Sequence, residues 1–501
     1  MQDQVNNKLK ETLHARGICV VIPTFNNAGT ITRVVTDCLD YCNDVIVVND
    51  GSTDETSQLL EEFDTVVVVS YSKNKGKGYA LKRGFREARE KGFSYAITID
   101  ADGQHYPKDI ESFLTANKKH PGSLIVGERN LEGVKRSKGS AFANKFSNFW
   151  FYIQTGRKLN DTQTGYRLYP LKKLHGLRFL TSRYEAELEL LVFSSWHGVD
   201  IDIVPIDVYY PPSEERVSHF RPVADFARIS VLNTILCVLA VLYGLPLRLW
   251  RFISRYLRTA IAIVFCVVVL MFIITPVVWL YLKIGGVNDK KRWNLHRLIN
   301  RFSKILMFRI GIPGTHFSYK VHEKEDFEKP SVIICNHQSH FDLMCQLIFT
   351  PRMVFLTNDW VWNNPLYGLV IRNAEFYPVT EGIETLLPKL RSLVSRGYHI
   401  AIYPEGTRSS DCSIQRFHKG AFHIAELLNL DILPMYLYGT GRVLPKKKHT
   451  LNKGPIYIEV GQRFTQQQMA AIGDTRKQAS VMRQHYREKY EELCNKLDQD
   501  V

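Results

Sequence analysis

The sequence predicts an α/β protein: two α/β domains separated by apolar, membrane-associated helices. Three observations carry this. Short β-rich apolar runs alternate with helical stretches from Ile18 to about Asp207, and the alternation returns after Pro313. Between the two, Thr259 to Leu282 runs for 24 residues without a charge. At 501 residues the chain is also longer than one core organises. The expected boundaries are 1–225 for the first domain, 226–310 for the helical region and 311–501 for the second domain.

Taken in order, Ile18 to Ile22 is a buried strand ended by Pro23, and Thr30 to Leu39 is a helix. Val45 to Val48 is the next strand, ended by Asn49-Asp50-Gly51-Ser52, and Thr56 to Phe63 is helical. Val66 to Val69 is a strand. Gly78 to Lys91 is a helix with Ala80, Leu81, Gly84, Phe85 and Ala88 on one face, and Tyr95 to Ile99 is a fourth strand. This spacing predicts a mostly parallel sheet covered on both faces. In such sheets ligands collect at the carboxyl ends of strands, where Pro23, Asp50 and Asp100 stand.

In the middle, Ile229 to Leu247 is 19 residues without a charge, with Gly244 and Pro246 near its end. The stretch from Thr259 to Leu282 contains Pro276. Each is long enough to span a bilayer. Between them Arg248, Arg251, Arg255 and Arg258 recur at helical spacing, which predicts an interfacial amphipathic helix joining two separate apolar helices. In the second domain Val332 to Cys335, His399 to Tyr403, Asp431 to Leu437 and Ile456 to Val460 read as strands. The tail from Gln467 to Leu497 reads as a charged helix ending in the polar pair Asp498 and Asp500.

The net charge of +15 comes from 65 Lys and Arg against 50 Asp and Glu. Much of the excess flanks the apolar region, where it suits anionic lipid headgroups. No RNA- or DNA-binding signature is present, so nucleic acid is excluded as the expected partner. Nine cysteines without a C-x-x-C pair suit reduced cytosolic thiols. Residues 1–17 contain no apolar signal core, so the first domain is expected in the cytoplasm.

Three D-x-D pairs occur: Asp100/Asp102, Asp200/Asp202 and Asp498/Asp500. Only the first ends a buried strand. Two unpaired carboxylates there repel, and a divalent cation relieves the repulsion while bridging to a diphosphate. Hard oxygen ligands favour magnesium or manganese. Four other segments accompany this pair: Val21-Ile22-Pro23-Thr24-Phe25-Asn26-Asn27, Val48-Asn49-Asp50-Gly51-Ser52-Thr53-Asp54, Gly127-Glu128-Arg129-Asn130 and Asp161-Thr162-Gln163-Thr164-Gly165-Tyr166-Arg167.

With Asp100-Ala101-Asp102-Gly103-Gln104-His105 they make residues 18–221 resemble family 2 glycosyltransferases of the dolichyl- and polyprenyl-phosphate sugar transferase type, which have a GT-A fold. The resemblance implies that Pro23, Phe25, Asp50, Asp100 and Asp102 bind the nucleotide sugar and that Asp100, Asp102 and Gln104 hold the metal. It implies that Arg129, Asp161 and Arg167 meet the acceptor, with inversion at the anomeric carbon. Asn27 stands where close relatives carry Glu, which leaves donor nucleotide and sugar open. Lys75 and Gly76-Lys77-Gly78 either approach the donor or form an ordinary helix start. Glu185 and Glu187 either supply a carboxylate near the acceptor or line a solvated helix face. Residues 214–222 either meet a lipid headgroup or form a basic linker.

In the second domain, Asn336-His337-Gln338-Ser339-His340-Phe341-Asp342 follows a buried strand, and Tyr403-Pro404-Glu405-Gly406-Thr407-Arg408 comes later. A hydroxyl is too weakly acidic to attack a thioester unaided. His337 can take its proton, and Asp342 can orient the ring and stabilise its cation. Residues 294–464 resemble the phospholipid and glycerol-phosphate acyltransferases. The resemblance implies an acyl-acceptor site at Glu405, Gly406, Thr407 and Arg408, and acyl-CoA or acyl carrier protein as donor. His340 and His418 read as structural. Thr380 stands about where that family carries a phosphate-holding Arg, so a sugar or other lipid-linked hydroxyl suits the site better than glycerol 3-phosphate.

Together the resemblances imply a bifunctional enzyme that glycosylates a lipid or lipid-linked acceptor and acylates a hydroxyl, building a glycolipid. In the alternative, the first domain only binds the glycolipid for the acyltransferase. Nucleotide sugars and acyl thioesters are cytosolic, so both sites are expected on the cytoplasmic side of the inner membrane. The two apolar helices are then expected to dip in from that face with the Arg stripe on headgroups, with a true membrane-crossing hairpin as the alternative.

Overall fold

The computed structural model describes residues 2–130, 138–177, 181–209, 222–311, 314–446 and 450–500. Of the basic stretch at 214–222, all but the last residue lies outside them. The chain divides into two compact units, Met1–Phe252 together with Asn495–Val501, and Ile253–Cys494.

The first unit is built on seven strands: β1 (Ile18–Thr24), β2 (Val45–Asn49), β3 (Val67–Ser70), β4 (Tyr95–Thr98), β5 (Leu124–Arg129), β6 (Arg167–Pro170) and β7 (Ile201–Ile206). Their order is β3-β2-β1-β4-β6-β5-β7. All pair in parallel except β6, which runs against β4 and β5. Alternate residues feed two cores. Val20, Ile22, Val47 and Ile97 enter one; Cys19, Val21, Ile46, Val48 and Ala96 enter the other. Burial on both faces explains why β1 and β2 read as continuous Val and Ile runs. The carboxyl ends of β1, β2, β4 and β5 share one edge. Because β6 is reversed, its first residue Arg167 lies at that edge too.

The second unit carries β8 (Thr315–Val321), β9 (Ser331–Cys335), β10 (Met353–Thr357), β11 (Tyr377–Pro378), β12 (His399–Ile402), β13 (Asp431–Tyr438) and β14 (Gly454–Val460). Their order is β11-β10-β12-β9-β13-β14-β8, parallel except between β13 and β14. β9, β10, β11 and β12 end at one edge, and there the segments after Cys335 and Ile402 meet.

Two expectations are corrected. The apolar region is not two helices separated by a third. It is continuous helix, of which Phe226–Lys283, 58 residues, is apolar and long enough to cross a membrane. Pro246 and Pro276 do not break it, because each follows a π-helical turn, Ala240–Gly244 and Val269–Ile274. The wider i→i+5 turn absorbs the hydrogen bond and the space that a proline ring takes from an α-helix. Arg248 and Arg251 are also turned toward the first unit: Arg248 donates to the Thr155 carbonyl at 2.5 Å, and the Arg251 guanidinium lies over Gly198.

The chain's last residues are not a solvated polar tail. Asp498 is 1% exposed and pairs with the equally buried Arg16 at 2.8 Å. Arg16 also donates to Asn117, and Tyr95 donates its hydroxyl to the Asp498 carbonyl.

Candidate active sites

In the first unit Pro23 lies buried in β1 and Phe25 half-buried just beyond it. The next turn is tied to the one after β2: Asn26 donates its N–H to Ser52 and accepts from Thr53 N–H. Asn27 donates its side-chain amide to Thr24 Oγ1 and to the Phe25 carbonyl, both at 3.2 Å. A glutamate there has no proton to give, so Asn27 serves the loop's own structure. Asp50 is 3% exposed and accepts the N–H of Lys75 and of Gly76, each at 2.8 Å. Gly51, at φ +71°, lets the 73–74 backbone approach to where a Cβ would touch it at 2.7 Å. Asp50 therefore clamps the start of helix Lys77–Glu90 against the strand edge.

That helix begins with Lys77, whose ammonium lies 2.6 Å from Asp100 Oδ1 and 3.0 Å from Glu187 Oε2. Glu185 and Glu187 are buried, so they do not line a solvated face. Burial raises the Glu187 carboxyl against the pull of Lys77. Burial also works to raise Asp100, but Lys77 and His105 outweigh it and hold that carboxyl below the usual range. Asp102 has no ion-pair partner among the described residues, and burial with the charge of Asp100 pushes it up to about 6. Its Oδ1 accepts the backbone N–H of Gln104 at 3.0 Å. His105 is lowered to about 4 by burial, and its Nδ1 is buried without a hydrogen-bond partner among the described residues.

Of the three acceptor candidates, two meet each other. Arg129 donates Nε to Asp161 Oδ2 at 2.5 Å and Nη2 to Oδ1 at 2.8 Å. Asn144 also donates to Asp161, at 2.9 Å. Arg167 is fully buried and donates to the carbonyls of Thr162 and Glu187, each at 2.8 Å. It braces the 161–167 loop. Helix Lys138–Thr155 supports the same loop: Ser147 and Asn148 bond Thr162, while Phe142, Phe149, Tyr152 and Ile153 on its opposite face are exposed.

In the second unit His337 Nδ1 lies 2.8 Å from Asp342 Oδ2. The same oxygen accepts the N–H of Gln338 and of Ser339, and Oδ1 accepts the Thr440 hydroxyl at 2.6 Å. Asp342 is fully buried. Nδ1 thus carries the proton toward Asp342, leaving Nε2 as the base. The imidazole stacks on Tyr403, with ring centroids 4.1 Å apart, and Gln346 holds that tyrosine's hydroxyl. Asn336 anchors the segment by two bonds to the Leu437 backbone. Glu405 accepts the N–H of His337 and of Gln415, each at 2.8 Å. Burial pushes it up to about 7. Glu405 therefore joins the two motif segments. Gly406 turns at φ +66° beside His418, and Lys446 donates to Thr407 Oγ1 and the Arg408 carbonyl. His340 stands edge-on to Trp360, away from the Asp342 bond. Thr380 donates to Asp359 at 2.6 Å.

Residues 19–171 match the family model described as glycosyl transferase family 2. An uncharacterized protein of Methanocaldococcus jannaschii is 30% identical over 41% of this chain and 86% of its own length. The chain belongs to glycosyltransferase family 2. A second domain, of the acyltransferase family, follows it, matched over residues 318–438. The glycosyltransferase domain is 29% identical to UDP-N-acetylglucosamine–dolichyl-phosphate N-acetylglucosaminyltransferase of Methanococcus voltae, covering 38% of this chain and 86% of that protein. The acyltransferase domain is 32% identical to a 1-acyl-sn-glycerol-3-phosphate acyltransferase of Chlamydomonas reinhardtii, covering 26% of this chain and 42% of that protein. The chain thus spans about two fifths of that acyltransferase relative. The fold is GT-A in the first domain, with an α/β acyltransferase domain in the second.

Lys77 and Glu187 were the residues of the first site least legible in sequence. A GKG turn at a helix start and a glutamate 110 positions later carry no joint signal. Only the sheet's edge brings them to Asp100.

Proposed function

We propose that this protein is a bifunctional transferase of lipid metabolism. Its glycosyltransferase domain moves a sugar from a nucleotide sugar to a lipid or lipid-linked acceptor, and its acyltransferase domain acylates a hydroxyl of the same molecule or its neighbour. The observation that carries the reading is the His337–Asp342 pair: an imidazole oriented by a buried carboxylate, on a chain that also sets two carboxylates at the glycosyltransferase strand edge.

In acyl transfer, His337 Nε2 takes the proton of the acceptor hydroxyl as its oxygen attacks the thioester carbonyl. The proton then goes to the departing thiolate of acyl-CoA or acyl carrier protein. Asp342 stabilises the imidazolium in between, and Arg408 offers a charge for a phosphate on either substrate. In sugar transfer, an acceptor oxygen attacks the anomeric carbon with inversion as the diphosphate leaves. Asp100 and Asp102 fit a divalent cation: both are hard oxygen donors, set two residues apart just beyond the end of β4. Magnesium or manganese held there, with Gln104 adjacent, would stabilise the leaving diphosphate. Arg129 and Asp161 lie at the same edge to orient the acceptor.

The exposed apolar surface of helix Phe226–Lys283 supports attachment to the cytoplasmic face of the inner membrane, as do the exposed aromatics of helix Lys138–Thr155. Mass spectrometry of lipids from cells carrying wild type, Asp102→Ala or His337→Ala tests the proposal. We expect loss of sugar and of acyl chain, respectively. An unchanged product with Asp102→Ala would reduce the first domain to a binding module.

A further inference from the structure

In the glycosyltransferase site a cation of the protein's own already sits on Asp100. The Lys77 ammonium is 2.6 Å from Asp100 Oδ1 and 3.0 Å from Glu187 Oε2, and its side chain is 16% exposed. The opposite side of this contact is formed by the bare Cα of Gly165. A Cβ there would come within 2.5 Å of Asp100 Oδ2 and 2.8 Å of Lys77 Nζ. The Gly165 carbonyl is fixed by Thr98 Oγ1 at 2.6 Å, so this side does not yield. A divalent cation bonds a carboxylate oxygen at about 2.0–2.2 Å. At that distance from Asp100 Oδ1 it would crowd and repel the ammonium held by the same oxygen.

We propose that Lys77 is a placeholder cation: it pairs with Asp100 and Glu187 in the ligand-free cleft, and a divalent ion binds Asp100 and Asp102 only as the ammonium moves aside. The placement of Lys77 ties this exchange to the donor. Asp50 holds the N–H groups of Lys75 and Gly76, immediately before Lys77. A nucleotide engaging the Asp50 turn therefore acts on the segment that aims the ammonium. Lys77 is a positioning residue in this scheme. It sets the affinity of the free protein for metal and keeps the carboxylates paired until donor arrives. The inference deepens the metal-dependent reading above and rests on it.

The test uses full-length protein in detergent and titrates Mn2+ alone, with no nucleotide, read by electron paramagnetic resonance of free Mn2+. Lys77→Met and the hydrogen-bonding Lys77→Gln each remove the competing charge. Both are expected to tighten Mn2+ binding about tenfold, the scale of one nearby charge in a partly buried site. Lys77→Arg, which keeps the charge, is expected to bind as weakly as wild type. Unchanged or weaker binding in both neutral variants, with thermal unfolding like wild type, would overturn the placeholder role and leave the metal site standing. Asp102→Ala separates the two failures. If it binds Mn2+ as well as wild type, the metal does not sit on this pair at all, and both readings fall.

Discussion

Replacing Asp342 by Asn separates the two roles of that carboxylate. In the structure one oxygen, Oδ2, accepts three N–H groups, from His337, Gln338 and Ser339, while Oδ1 accepts the Thr440 hydroxyl and, among the described residues, no other side-chain donor. An asparagine can keep its oxygen at the first position and offer its NH2 to Thr440, whose hydroxyl turns to accept. The backbone turn and the tautomer of His337 therefore survive, and only the charge is lost. An imidazolium and a carboxylate about 4 Å apart attract by about 4 kcal/mol at an effective dielectric of about 20. That attraction exists only while the ring holds the transferred proton, so its loss slows acyl transfer about a thousandfold. Asp342→Ala differs: it leaves two buried N–H groups and a hydroxyl unpaired, each costing about 1–3 kcal/mol. We expect Asp342→Asn to keep the wild-type melting temperature within a few degrees with kcat down about a thousandfold, and Asp342→Ala to melt far lower. The assay is acyl transfer from radiolabelled acyl-CoA, beside thermal unfolding of each variant. Activity of Asp342→Asn within threefold of wild type would refute the charge argument; gross unfolding would refute the hydrogen-bond argument.

Glu405 is raised by burial to about 7 from 4.5, so the native state holds its proton more tightly than the unfolded chain. Its protonated form favours folding below pH 4.5, and this contribution is lost as pH rises to about 7. The melting temperature of wild type should fall relative to Glu405→Gln across that window, measured by calorimetry; parallel curves would contradict it. Gly165→Ala should abolish sugar transfer and spare acyl transfer, because the new methyl meets Asp100 and Lys77; a normal sugar product would show that the loop gives way. Asp498→Ala strands the buried charge of Arg16 and should destabilise the first unit by about 3–5 kcal/mol. Denaturant unfolding followed through fluorescence of that unit checks this, and the Arg16→Met/Asp498→Leu double variant should recover most of the loss.

The parts of the fold that were legible in the sequence are those set by local pattern. β1 and β2 announce themselves because burial on both faces demands near-continuous Val and Ile, and helix Lys77–Glu90 because its small and apolar residues share one face. His337 and Asp342 were legible as a pair because five positions across a strand end return the chain onto itself. What escaped depends on distant partners. Arg167 reads as an acceptor-binding arginine until reversed β6 buries it against the Thr162 and Glu187 carbonyls. The helix from Phe226 runs on through Gly244, Pro246 and Pro276, since the relief is a change of helical turn, which residue propensity does not encode. Asp498 reads as polar tail until Arg16, 482 positions earlier, meets it.

That last contact has a practical side. The glycosyltransferase unit is written in two instalments, with the whole acyltransferase unit spelled out between them. An N-terminal fragment ending anywhere before Asp498 leaves the buried guanidinium of Arg16 with Asn117 but without its counter-charge. Anyone wishing to study sugar transfer by itself should silence His337 in the intact chain rather than shorten it, or supply residues 495–501 again through a short linker.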